Sequence, residues 1–286
     1  MTVETGLDLS KYHAGVVHIH SHYSHDGHGT IGDMGATLKA SGIDFCILTD
    51  HFEDFDDDKF RRYVAEIESV NRLQKTVFVP AIEAEFEGFH VIFFPVSEYA
   101  EIRTIVDRRD FRDSSLVKIL AHPSKHPLAD VVTFLRRHRV DGVEIWNQQA
   151  DSRYLPPAQC FVDLMALLPG DKPAIVFGSD IHNFAKHSVS NLLLIERNGS
   201  LNGAHIIEKL RKREHLNFSL ALKQHLRGNA DPLSVTAWFE GLKGKAKKKA
   251  FVLQSTKRTL RFVYHLLPRT IQHNINDVKN TVKNWL

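Results

Sequence analysis

The chain has 286 residues, 43% of them hydrophobic and 25% charged, with a formal net charge of +3, a balance that suits a soluble globular protein large enough for a full core, such as a single α/β barrel. Its longest unbroken apolar run, Val91–Val96, falls far short of the roughly 20 residues a membrane span needs, and the absence of an apolar run from Met1–Ser10 argues against a signal peptide, so a cytoplasmic protein without membrane insertion is expected. Two cysteines exclude a disulfide framework or a zinc ribbon, and Cys46, inside an apolar run, reads as a buried thiol.

Taken in order, the apolar pattern alternates strand and helix up to about residue 225. Val16-Val17 and Ile43–Leu48 read as buried strands, the second covered on both faces. Asp58–Gln74 follows as a helix, with Phe60, Val64, Ile67 and Leu73 at helical spacing and carboxylates at its start. Strands are expected at Val77–Phe86, His90–Val96, Val117–Leu120, Gly142–Trp146, Ala174–Phe177 and Leu192–Ile195. Helices are expected at Glu98–Asp107, Ala129–His138, Pro157–Leu168 and Ala204–Arg213. Repeated β-α units with apolar strands favour a parallel barrel or sheet, whose chemistry gathers at the C-terminal strand ends.

Charge divides the chain. Residues 241–286 hold 11 Lys/Arg and one acid, a net +10, while the remaining 240 residues sum to −7. We therefore expect a barrel over residues 1–225, then a connector over 226–240 and a basic, helical C-terminal extension, together residues 226–286. Leu260, Val263, Tyr264 and Leu267 lie at helical spacing within that extension. Such a tail is suited to a polyanion, either single-stranded nucleic acid or an anionic membrane surface, or to simple solvation.

Four histidine-bearing motifs close strands: His18-Ile19-His20 with Ser24-His25-Asp26, Thr49-Asp50-His51, Ala121-His122-Pro123 and Gly178-Ser179-Asp180-Ile181-His182. Residues one apart on a strand project to one face, so His18 and His20 are expected to reach one metal together, and Asp180 and His182 likewise. Imidazole and carboxylate ligands at several strand ends are the makings of a hydrolytic metal site.

These motifs resemble the PHP (polymerase and histidinol phosphatase) family of metal-dependent phosphoesterases, over about residues 13–215. The resemblance implies an α/β fold, the family's distorted (β/α)7 barrel, and two or three divalent ions. It places His18, His20, Glu83 and Asp180 on one ion, His51 and His182 with His25 or Asp26 on another, and Glu83, His122 and one further group on the last. Where the family has an acidic residue five places after the second histidine this chain has His25, so Asp26 is the alternative. Where many members carry another His or Cys, the strand ends in Asn147, a weaker ligand. Mn, Zn and Fe all suit such a donor set.

The implied reaction is hydrolysis of a phosphoester in a small phosphorylated substrate, nucleotide or oligonucleotide. Asp50 is expected to orient the His51 ring by accepting its other N–H, and His182 or His25 to deliver a proton to the leaving oxygen. Lys125, His126, Arg153, Lys186 and His187 follow strand ends and could meet phosphate, with Arg153 the best clamp. His22 and His28 share the first loop, His90 reads as structural, and Glu85 is the fallback for Glu83. The alternatives are an amidohydrolase-like enzyme acting on C–N bonds, against which no strand-end lysine stands ready to form a bridging carbamate, and a non-catalytic module binding nucleic acid or a protein partner.

Overall fold

The computed structural model describes residues 7–73, 76–111, 115–151, 164, 172–184 and 186–242. Seven strands make the barrel: β1 (Tyr12–Ile19), β2 (Phe45–His51), β3 (Val77–Phe86), β4 (Phe89–Phe94), β5 (Val117–Leu120), β6 (Gly142–Asn147) and β7 (Ala174–Gly178). Each pairs with the next in order. All run parallel except β4, which is antiparallel to both neighbours. The exception arises from sequence. Glu87 and Gly88 both take positive φ (53° and 82°), the pattern of a tight hairpin turn, so β4 returns beside β3 with no crossover helix.

The ring closes at its upper rim, where Ile19 bridges Ile181 in parallel and His20 N donates to Ile181 O at 3.0 Å. Below the rim an antiparallel flap fills the gap. Strands β8 (Asn191–Glu196), β9 (Leu216–Ser219) and β10 (Gln224–Arg227) build outward from the first half of β1. The buried Asn217 side chain stands in for a strand partner to β7, accepting from Phe177 N at 2.9 Å and donating to Ile175 O at 2.8 Å.

Helices α1 (Ile31–Ala40), α2 (Asp57–Leu73), α3 (Tyr99–Arg108), α4 (Leu128–Arg137), α5 (Gly203–Arg211) and α6 (residues 232–242) accompany the barrel. Two apolar layers result. Inside the barrel lie Val17, Phe45, Ile47, Val79, Ala81, Ile92, Phe94, Val117, Ile119, Ala121 and Val176, in one cluster with Ile206, Ile207 and Leu210 of α5. The outer strand faces pack under the helices. This inner set defines which positions look into the barrel, since every second residue of a strand shares its face. Followed upward from the packed layer, the inward positions become His51, Glu83, His90 and Glu144.

Four elements were not anticipated: α1, β9, β10 and α6. Residues 226–240, read as a connector, instead hold the end of β10 and most of α6, whose Val235, Trp238 and Phe239 are buried. The Trp238 ring lies 6.1 Å from that of Trp146 and 5.3 Å from Phe177. The helix expected at Pro157–Leu168 lies outside the described residues except for Leu164, which is helical and buried, and residues 243–286 lie outside them entirely. No helix among the described residues is long and apolar enough to cross a membrane.

Truncation after residue 231 is expected to destabilise the barrel by several kcal/mol, because losing one buried aromatic alone costs about 3–5 kcal/mol. Truncation after residue 242 is expected to leave the melting temperature near that of the full chain. Thermal unfolding of the two proteins checks this, and equal losses would contradict it.

Candidate metal centre

Glu83 is the hub of the site. Its buried carboxylate on β3 has five imidazoles within reach: His90 Nδ1 at 2.8 Å, His122 Nε2 at 3.1 Å, His18 Nε2 and His51 Nδ1 at 3.3 Å, and His20 Nε2 at 3.4 Å. Asp180 forms the opposite wall, its Oδ1 lying 3.4 Å from both His18 Nε2 and His20 Nε2 and 3.6 Å from His182 Nδ1. Asp26 closes the rim, 3.5 Å from His51 Nε2 and 3.1 Å from His182 Nε2.

Simple alternation does not bring these groups together. Val17 faces the interior and Ile19 the outer layer, a change of parity within three residues. The cause is a bulge: the β1–β2 register slips between Val17 and Ile19, and His18 takes φ 70°. On a regular strand His18 and His20 would both point outward; the bulge turns them in. His122 (φ 28°), just past inward-facing Ala121, is re-aimed in the same way, and Asp180 (φ 54°) also has a left-handed backbone. Non-glycine residues in this region are uncommon and gather at functional sites.

Three ligand-sized groups result: His20, Asp26, His51 and His182; His18, His20 and Asp180; and His18, Glu83 and His122. Their electrostatics call for a cation. His18 Nε2 and His20 Nε2 are buried, lack a hydrogen-bond partner, and face carboxylate oxygens at 3.3–3.4 Å. Burial would push Glu83 and Asp180 toward their neutral forms, but the His18 charge and the surrounding imidazoles outweigh it and hold both below the usual carboxylate range. For His18, burial opposes charge, and Glu144, Glu83 and Asp180 overcome it and raise its pKa. His51 and His182 are pushed down by burial and by His20, toward the neutral imidazole that ligates metal. The donor set fits divalent ions.

Other expected residues fall elsewhere. His25 is not in the cluster. Its side chain is 63% exposed, and its backbone N and ring Nδ1 both bond Asp54 Oδ2 at 2.8 Å. The tight turn from Ser21 to Gly27 is responsible: Gly27 sits where a Cβ would come 1.9 Å from Ser21 O, and the turn directs Asp26 inward instead. Asn147 is not free to ligate, since Nδ2 donates to Glu144 Oε2 at 3.0 Å and Oδ1 accepts from Gln149 N and Ala150 N. Asp50 does not touch the His51 ring. Being next to inward-facing His51 on a strand, it points outward, where it accepts from the N and Oγ of Ser21 and Ser24 at 2.7–3.0 Å. It reaches His51 only through Ser24 Oγ, which accepts from His51 N at 2.9 Å.

Glu85 is exposed above the hub. Lys125 and Lys186 are exposed, His126 and His187 half-buried, on loops following His122 and His182; Arg153 lies outside the described residues. His28 is exposed, and His22 sits 3.7 Å from Glu66. Two residues at the centre were missed. His90 bonds Glu83 rather than serving only the strand, and Glu144, fully buried on β6, bonds His18 Nδ1 at 2.9 Å. Both lie on the inward face of strands that were read correctly, so the period-two count from Ile92 and Gly142 would have found them.

A barrel carrying a buried histidine–carboxylate cluster at its strand ends has the architecture of a metal-dependent hydrolase. Residues 17–133 match the family model of the PHP domain, and the histidine–carboxylate cluster fits the metal-dependent hydrolysis that such a match suggests. Among solved structures the chain is similar to an inferred metal-dependent phosphoesterase from Bifidobacterium adolescentis, at 14% identity and a TM-score of 0.42, covering 68% of this chain and 94% of that one. It is also similar to an amidohydrolase from Chromobacterium violaceum, solved with sulfate and no metal, at 12% identity and a TM-score of 0.38, covering 59% and 87%. No curated protein matches it.

Proposed function

We propose that the chain hydrolyses phosphoesters, with His18, His20, Asp26, His51, Glu83, His122, Asp180 and His182 holding two or three divalent ions of Mn, Zn or Fe. The observation that carries this reading is the pair of unpartnered buried nitrogens, His18 Nε2 and His20 Nε2, set against Glu83 and Asp180. Ions held there supply Lewis acidity, making hydroxide accessible near neutral pH and offsetting charge on phosphoryl oxygens.

The chain's own residues do the rest. Glu83, a member of one group and within 3.4 Å of imidazoles from the other two, would help hold the ions, and the Asp50–Ser21–Ser24 bonds fix the loop that carries Asp26. His182, 28% exposed at the rim, would pass a proton to a leaving oxygen only in a state where its ring is not engaged as a ligand. Lys125, exposed on the loop after His122, is the cation proposed to meet the substrate's phosphate. For C–N hydrolysis, a bridging carbamate would need a lysine in the cluster. Among the described residues the buried lysine is Lys118, paired with Asp141 at 3.6 Å and followed by three residues of strand and loop before His122.

A panel of phosphomonoesters, single-stranded RNA and DNA, and cyclic amides, run with Mn²⁺ or Zn²⁺, tests the reading. Turnover of phosphoesters alone, abolished by chelation, is expected; turnover of amides alone would overturn it. The +10 tail is proposed to grip a single-stranded nucleic acid. Removing residues 243–286 is then expected to weaken strand binding at low salt while leaving the rate on a small phosphomonoester within a few-fold.

A further inference from the structure

Glu144 lies at the bottom of the centre, wholly buried, and belongs to none of the three ligand groups. Resting on the metal-centre reading above, we propose that Glu144 is a positioning residue. It fixes His18 in the tautomer with its proton on Nδ1, leaving Nε2 bare and aimed at the ion, and it pins the backbone that aims His122.

The hydrogen-bond inventory carries this. Three donors meet the carboxylate: His18 Nδ1 reaches Oε1 at 2.9 Å, while His122 N and Asn147 Nδ2 reach Oε2 at 2.8 and 3.0 Å. His122 N can only donate. Asn147 can present only its NH₂ here, because its Oδ1 already accepts from Gln149 N and Ala150 N. Oε2 is thus committed as an acceptor, and an ionised carboxylate has no proton to give at Oε1. His18 Nδ1 must therefore carry the hydrogen, and in the neutral ring Nε2 is then a lone pair. That nitrogen is the one left without a partner, between Glu83 and Asp180.

The surroundings are shaped to keep the carboxylate there. Gly178 on the adjoining strand faces it so closely that a Cβ would come 1.9 Å from Oε1. The bond to His122 N falls on the residue with φ 28°, so the same carboxylate steadies the left-handed backbone that brings the His122 ring to Glu83.

Glu144→Gln separates this role from mere packing. The amide nitrogen has to face either two fixed donors or one. Facing one, it opposes the His18 Nδ1 proton and drives that proton to Nε2, where it blocks ligation. Zn²⁺ affinity, measured by chelator competition, is expected to fall about 10- to 100-fold, while the metal-free melting temperature moves by a few degrees at most. In the zinc-loaded wild-type protein, ¹⁵N NMR is expected to show His18 protonated at Nδ1 and not at Nε2. This measurement decides the matter even if the variant does not fold. Wild-type zinc affinity in Glu144→Gln, or a proton on Nε2 of His18 in the loaded protein, would overturn this inference alone. A wild-type chain that binds no Zn²⁺ would remove the metal-centre reading and this inference with it.

Discussion

Asp180→Ala is expected to lower turnover by on the order of 10²-fold or more. Its Oδ1 faces His18 Nε2, His20 Nε2 and His182 Nδ1 within 3.6 Å, so three imidazoles that converge on one anion would be left converging on nothing. The backbone complicates the choice of variant. Asp180 has φ 54°, a conformation alanine adopts at a cost but asparagine tolerates. Asp180→Asn keeps shape and backbone while removing the charge, so it is expected to lose activity as fully as alanine while melting closer to the wild type. Activity assays with metal analysis check both. An Asp180→Asn protein as active as the wild type, or wild-type turnover surviving exhaustive chelation, would refute the role given to this carboxylate.

Glu83→Gln is expected to reduce bound metal per chain as well as rate, the latter also by about 10²-fold or more. One carboxylate oxygen serves His18, His90 and His122, and the other serves His20 and His51. An amide replaces one of those oxygens with a donor that faces imidazole nitrogens, and it also removes the anion that gathers the cations. Glu85→Gln is the matched control. Glu85 shares the strand face two residues on but is exposed, so metal content and rate are expected to stay unchanged. Elemental analysis of the two variants decides the point, and the reverse pattern would move the hub to Glu85.

Much of this was legible because apolar runs and strand-end motifs are local signals. Val117–Leu120 was read to its exact limits, and the hub Glu83 was placed by motif. What failed was non-local or geometric. Helix α1 buries Ile31, Met34, Gly35 and Leu38 at helical spacing, but its two glycines weaken the apolar signal. Strands β9 and β10 have four residues each and owe their existence to the gap between β1 and β7. Trp238 is a helical surface residue until Trp146 and Phe177 are folded beneath it. At the centre, alternation suggested that His18 and His20 share a face, which they do, but only the bulge makes that face the inner one. The same rule, applied to Asp50 beside His51, would have placed it on the outer side, and Glu144 went unread because a lone glutamate in an apolar strand carries no motif.

The left-handed backbones at His18, His122 and Asp180 have an evolutionary consequence. Each costs about 1–3 kcal/mol, against a total stability of about 5–15 kcal/mol for a typical domain. Glycine at any of the three would relieve that strain, so selection for thermal robustness alone would erode this centre. A screen that rewarded only soluble, heat-resistant variants should enrich glycine or asparagine at these positions and return sturdier barrels with nothing left to catalyse. Three of the side chains that hold the centre together thus sit on backbone that costs the fold stability.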